Sequence, residues 1–135
     1  MREIRVGLIG YGTVGKGLAT TLLEQRARLL RKTGMHVVID TVADIGIERL
    51  PDTLHAVKLT KDAEEIFANP AIDIVVELIG GMQPARSFLL KAIEKGKHVV
   101  TANKALLSVH GREIFKAAAH NNVEVGFEAS VGGGI

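Results

Sequence analysis

The sequence predicts an α/β fold, a doubly wound, mostly parallel sheet flanked by helices. Three observations lead there. Short runs rich in Val and Ile recur at residues 4–9, 35–43, 72–79, 97–101 and 123–127, and near-continuous apolar runs of this length suit strands buried on both faces. Between them lie stretches with apolar residues three and four apart, the period of an amphipathic helix. The first run also delivers the chain into Gly10-Tyr11-Gly12-Thr13-Val14-Gly15, a G-x-G-x-x-G at a strand-to-helix junction.

In chain order, residues 4–9 form the first strand. Val14, Leu18, Leu22, Leu29 and Leu30 mark one face of a helix running to about Lys32 and stopped by Gly34. Residues 35–43 form a strand ending at Asp44. An irregular connection around Pro51 closes with a short strand at 57–59. Asp62 followed by Glu65 has the spacing of a capping box for a short helix carrying Ala63, Ile66 and Phe67, which Asn69-Pro70 ends. Residues 72–79 read as a central strand broken by Gly80-Gly81. Pro84 opens a helix with Ala85, Phe88, Leu89, Ala92 and Ile93 inward and Gly96 as its stop. A strand at 97–101 precedes Ala102-Asn103-Lys104. A helix over about 111–120, with Ile114, Phe115, Ala118 and Ala119 inward, then leads to the last strand.

Composition narrows the function classes. At 135 residues the chain is one domain with a real core. It is 4% aromatic without tryptophan, so it lacks stacking residues for a nucleic-acid platform. The net charge of +2 is too small for a nucleic-acid surface unless clustered. Arg26, Arg28, Arg31 and Lys32 are clustered, but in the last turns of the first helix, where cations complement the dipole. No cysteine is present, which excludes disulfides and thiol catalysis and fits a reducing compartment. No signal-peptide pattern or membrane-length apolar run occurs. The expected location is cytoplasmic.

The glycine turn assigns a binding chemistry. Gly10 permits the turn, Gly12 lets a pyrophosphate approach the backbone, and Gly15 lets helix and strand pack closely. The exposed N–H groups and helix dipole then favour an anion. Asp44 stands at the next strand end, where an acid accepts hydrogen bonds from an adenosine ribose. It follows Gly15 by 29 positions, more than the usual ~20, because the first helix is long. A carboxylate there repels a 2′-phosphate and favours NAD, whereas Arg49 close behind offers NADP a partner. Gly80 and Gly81 let the chain pass near a nicotinamide ribose. Thr101, Asn103 and Lys104 end the next strand on the same side of the sheet; Asn103 is a candidate cofactor contact, and Lys104 a candidate to orient a substrate carbonyl or carboxylate. The five histidines have no paired metal spacing and are read as structural or solvated.

With these pieces placed, the chain resembles the N-terminal Rossmann-type cofactor domain of homoserine dehydrogenases along essentially all 135 residues. The carriers are residues 6–15, Glu77-Leu-Ile-Gly-Gly81, Thr101-Ala-Asn-Lys104-Ala-Leu-Leu-Ser108 and Glu128-Ala-Ser-Val-Gly-Gly-Gly134. The resemblance implies NAD(P)-dependent interconversion of L-homoserine and L-aspartate 4-semialdehyde, in threonine, methionine and isoleucine biosynthesis, by a homo-oligomeric parent. It implies pyrophosphate binding along Gly10, Tyr11, Gly12, Thr13, Val14 and Gly15, and a nicotinamide side lined by Thr101, Asn103 and Lys104, with Lys104 also near substrate. It further implies a sodium ion facing the backbone carbonyls of Glu128, Val131, Gly133 and Ile135; oxygen ligands suit such a hard cation. The expected organisation is a dinucleotide-binding domain over 1–135, cut before its substrate domain, that binds cofactor with negligible turnover. Two alternatives are an NAD-sensing module and the cofactor domain of another two-domain oxidoreductase, for which an E-K-P-like segment would replace T-A-N-K.

Overall fold

The computed structural model describes residues 2–127. Its centre is a six-stranded, wholly parallel sheet: β1 (Arg2–Ile9), β2 (Met35–Ala43), β3 (Lys58–Thr60), β4 (Ile74–Glu77), β5 (His98–Thr101) and β6 (Val125–Phe127), in the spatial order β3-β2-β1-β4-β5-β6. The order reverses between β1 and β4, so this is a Rossmann-type sheet, with its crevice at the carboxyl ends of those two strands. Among the described residues five α-helices complete it: α1 (Thr13–Glu24), α2 (Arg26–Thr33), α3 (Glu64–Ala68), α4 (Ala85–Glu94) and α5 (Lys104–His120).

Strand alternation sorts the core into two layers. Ile9, Ala43, Val75 and Val99 face α3, α4 and α5, meeting Phe67, Leu89, Ile93, Leu106 and Ile114. Their neighbours Leu8, Val42 and Val76 face the other way and pack with Leu18, Ala19, Tyr11 and Leu54. This two-sided burial explains why the strands read as continuous apolar runs rather than alternating ones. Among the described residues no helix is long and apolar enough to cross a membrane.

Several expected boundaries move, each for a local reason. The first helical stretch is two helices that meet at Gln25, whose backbone leaves helical geometry at φ −95°, ψ 7°. α2 buries no residue, and Leu29 and Leu30 are only half-buried. Val14 lies outside the packed face, 39% exposed at the sheet's carboxyl edge. The capping box does not close. The Asp62 carboxylate accepts the Glu64 N–H at 3.0 Å, but Glu65 turns to Thr60 Oγ1 and Lys58 Nζ. The strand expected over 72–79 is confined to β4, because the Glu77 side chain draws the following backbone N–H groups into a turn. The last helix begins at Lys104 rather than near 111, because the Asn103 side chain caps it by accepting the Leu106 N–H at 3.0 Å. That phase buries Leu106, Ile114 and Ala118 and turns Phe115 and Ala119 outward, against expectation.

At the amino half of the sheet, Asp40 ties β2 to β1. Arg5 Nε donates to it at 2.8 Å, Thr41 donates its hydroxyl, and Asn69 Nδ2 reaches it at 3.4 Å. Burial pushes the Asp40 carboxyl up, but the hydrogen bonds from Thr41 and Arg5 outweigh it and hold the group below its ordinary 3.8. A carboxyl depressed in the fold contributes stability in full above that value and loses it as pH falls through the lower folded value. Asp40→Asn is therefore expected to cost about 1 kcal/mol at pH 7. It should also flatten the acid limb of the melting curve below pH 4, read by circular dichroism. An unchanged acid limb would count against the assignment.

Candidate functional site

At the carboxyl edge of the sheet, β1 ends in a turn that only glycine can make. Gly10 has φ +104°, and a Cβ there would lie 2.9 Å from Ile79 Cγ2 and 3.1 Å from the Leu78 carbonyl carbon. A Cβ on Gly15 would stand 2.3 Å from the Gly10 carbonyl oxygen, so α1 sits on the turn itself. Gly12 differs. Its φ is −79°, and nothing lies within 4 Å of an added Cβ. The space above Gly12 is open.

α1 starts there without a cap. No side chain caps its N-terminus and no acidic residue occupies its first turn. The first helical backbone bond is donated by Lys16 to the Gly12 carbonyl at 2.9 Å, so the N–H groups of Thr13, Val14 and Gly15 have no partner within the helix. Bare N–H groups, the positive dipole end and open space at Gly12 together fit a pyrophosphate. Tyr11 contributes otherwise: its ring is buried in the core and its N–H donates to Asp44 Oδ2 at 2.7 Å. Asp44 Oδ1 also accepts the Gly46 N–H at 2.7 Å. The carboxylate is thus fixed against the glycine turn, half-exposed, with lone pairs still free.

Two clefts flank the turn and share Gly80. The first, about 330 Å³, is lined by Ile9, Ala43, Asp44, Lys61, Ile79 and Phe88, among others. The sequence reading missed Lys61, although it directly follows β3 and carboxyl ends of strands are where such folds place ligand groups. Its Nζ donates to the Ile45 carbonyl at 3.2 Å and to Glu48 at 3.0 Å. Arg49 is instead paired with Asp52 at 3.7 Å, fully in solvent. The second cleft, about 280 Å³, is lined by Val14, Glu77, Leu78, Gly80, Asn103 and Lys104, with Ala102.

Four predicted site residues form one network at this second cleft. Glu77 is completely buried. Its Oε1 accepts the Thr101 hydroxyl at 2.6 Å, and its Oε2 accepts the N–H groups of Ile79 at 2.9 Å and Gly80 at 3.1 Å. Thr101 Oγ1 in turn accepts the Asn103 N–H at 3.0 Å, and Asn103 Nδ2 donates to the Gly81 carbonyl. Gly80 and Gly81 take φ +74° and +73°, the left-handed region that frees the chain to fold over the cleft. Thr101 therefore lies beneath the cleft wall, and the Asn103 amide is engaged at both ends. Lys104 is exposed at the mouth.

Elsewhere, an apolar cavity of about 190 Å³ lies between α1, the first half of β2 and residues 53–57, remote from the glycine turn and without a catalytic grouping. His36 pairs with Arg26, and His98 Nδ1 accepts the Glu124 N–H at 3.0 Å. Among the described residues no three acids or histidines gather as metal ligands. Glu128, Val131, Gly133 and Ile135, expected around a sodium ion, lie outside the described residues.

Known proteins resemble the chain in both sequence and fold. Residues 10–128 match the family model described as "Homoserine dehydrogenase, NAD binding domain". The whole chain aligns with homoserine dehydrogenases of Pseudomonas aeruginosa, at 46% identity, and Neisseria gonorrhoeae, at 43%, covering 31% of each. The crystal structure of a homoserine dehydrogenase from Thiobacillus denitrificans superposes on 96% of the chain with a TM-score of 0.89 and 42% identity, over 30% of its own length. The enzyme from S. aureus at pH 7.5 gives 0.89 at 34% identity, over 33% of its length. The chain thus spans about a third of the relatives it matches.

Proposed function

From the premise that the chain belongs to the homoserine dehydrogenase NAD-binding domain family, we propose that it holds the cofactor for a parent enzyme interconverting L-homoserine and L-aspartate 4-semialdehyde. The observation that carries this reading is the uncapped N-terminus of α1 beneath the open space at Gly12. There the N–H groups of Thr13, Val14 and Gly15 bind the pyrophosphate. The cleft at Asp44 takes the adenosine, and the cleft between Val14 and Lys104 takes the nicotinamide. When bound, the cofactor supplies the hydride acceptor or donor. This chain's residues orient it, and exposed Lys104 faces the substrate's carbonyl or carboxylate. Substrate-gripping and proton-accepting groups belong to the rest of the parent, so the chain alone binds cofactor without measurable turnover. In the parent, the carbonyls of Glu128, Val131, Gly133 and Ile135 bind sodium.

Asp44 sets the cofactor preference in this proposal. Its carboxylate is anchored by the N–H groups of Tyr11 and Gly46, so it cannot swing away from a 2′-phosphate. Lys61 offsets that repulsion only in part, because Glu48 already shares its charge. Fluorescence titration is expected to show NADH binding about tenfold more tightly than NADPH, a difference of ~1.4 kcal/mol. Asp44→Ser should narrow the gap chiefly by improving NADPH. Tighter NADPH binding by the unaltered chain would overturn the assignment of Asp44; binding of neither would overturn the cofactor reading.

A further inference from the structure

Glu77 is the one completely buried acid among the described residues, and it has no cationic partner there. Its two oxygens accept three hydrogen bonds, from Thr101 Oγ1 and from the N–H groups of Ile79 and Gly80. The Thr101 hydroxyl is itself an acceptor from the Asn103 N–H, which leaves its proton for Glu77. Neutral donors satisfy the carboxylate's lone pairs but leave its charge uncompensated, and a charge in a buried site acts over several ångströms with little screening. The cavity it borders is the second cleft, walled by Val14, Leu78, Gly80 and Asn103.

Resting on the reading of that cleft as the nicotinamide site, we propose that Glu77 makes the domain discriminate the redox state of its cofactor, favouring the cationic oxidised ring over the neutral reduced one. The nicotinamide ring carries a positive charge only when oxidised, so a fixed negative charge behind the wall attracts one form and is indifferent to the other. Glu77 does not need to touch the ring. It acts through the field, and its hydrogen bonds to Ile79, Gly80 and Thr101 keep that field fixed. Lys104 opposes it, but from the exposed mouth of the cleft, where water and salt screen it more strongly.

The test measures NAD+, NADH and ADP-ribose binding to the 135-residue chain by calorimetry, with melting curves as a fold check. In the unaltered chain, the gain in affinity from ADP-ribose to NAD+ should exceed the gain to NADH. Glu77→Gln should lower NAD+ affinity about tenfold more than NADH affinity. Glu77→Asp, which keeps the charge, should preserve the NAD+ to NADH ratio even where both affinities fall. Parallel losses for the two forms in the glutamine variant overturn the proposal, leaving Glu77 a purely structural clamp. If that variant does not fold, a gain for NADH equal to that for NAD+ in the unaltered chain overturns it alone. Failure of the unaltered chain to bind any of the three ligands overturns the cofactor reading instead.

Discussion

Gly15→Ala should be the most destabilising single-methyl change in the glycine turn, lowering the melting temperature by roughly 12 °C. The added Cβ would stand 2.3 Å from the Gly10 carbonyl oxygen, and that oxygen cannot retreat. The Gly10 N–H is held by the Ala43 carbonyl at 2.9 Å, and the Leu78 N–H is held by Ile9 at 2.9 Å. The turn is thus sewn to both neighbouring strands. Relief must come from lifting α1, whose Leu18 and Ala19 pack against Leu8 and Val42. Overpacking against immovable atoms costs about 3 kcal/mol, and a domain of this size loses ~4 °C per kcal/mol. Cofactor binding should fall with it, because lifting α1 moves the N–H groups of Thr13 and Val14. A melting temperature within 2 °C of the unaltered chain would show that α1 does not rest on the turn as described.

Much of this arrangement was legible in the sequence because it rests on patterns with a fixed period. Parallel strands buried on both faces are apolar along their length, so Val6, Leu8 and Ile9 in β1 and Val75 and Val76 in β4 stand out in the sequence. The spacing of Gly10, Gly12 and Gly15 is enough to place the strand-to-helix turn. What escaped were choices made by single side chains. Asn103 can end a loop or cap a helix with equal ease, and only its bond to the Leu106 N–H decides that α5 begins seven residues earlier than its apolar period implies. Gly111 looked like a helix boundary, yet it is buried inside α5, where its added Cβ would make only ordinary contacts with Leu107 and Phe115. The site shows the same division. The positions of Asp44 and Thr101 at strand ends followed from the topology. Their partners did not, because the direction of the Tyr11, Gly46 and Asn103 N–H groups is a property of the folded turns. Lys61 was missed since the short strand before it carries almost no periodic signal.

Gly12→Ala should separate binding from folding. The Gly12 backbone, at φ −79° and ψ −158°, is open to any L-residue, and its Cβ would meet nothing within 4 Å. Glycine ranks above alanine at a helix N-cap, and the exchange costs roughly 0.5–1 kcal/mol, so the melting temperature should fall by no more than about 4 °C. The same methyl group, however, projects into the open space beside the uncapped N–H groups of α1, where an anion would sit. Hydrogen bonds from N–H groups to a charged partner are worth about 1.5–3 kcal/mol each, and displacing a pyrophosphate by even a methyl radius forfeits most of one. NADH affinity should therefore fall by about 30-fold, ~2 kcal/mol, as measured by fluorescence titration. Contrast with Gly15→Ala makes the result decisive. If both substitutions weaken binding only in proportion to lost stability, the turn is a packing device. If Gly12→Ala weakens binding far beyond its small loss of stability, the open space above it is the pyrophosphate site. Retention of full NADH affinity by a folded Gly12→Ala chain would require the phosphates to lie elsewhere, and with them the assignment of both flanking clefts would have to be redrawn.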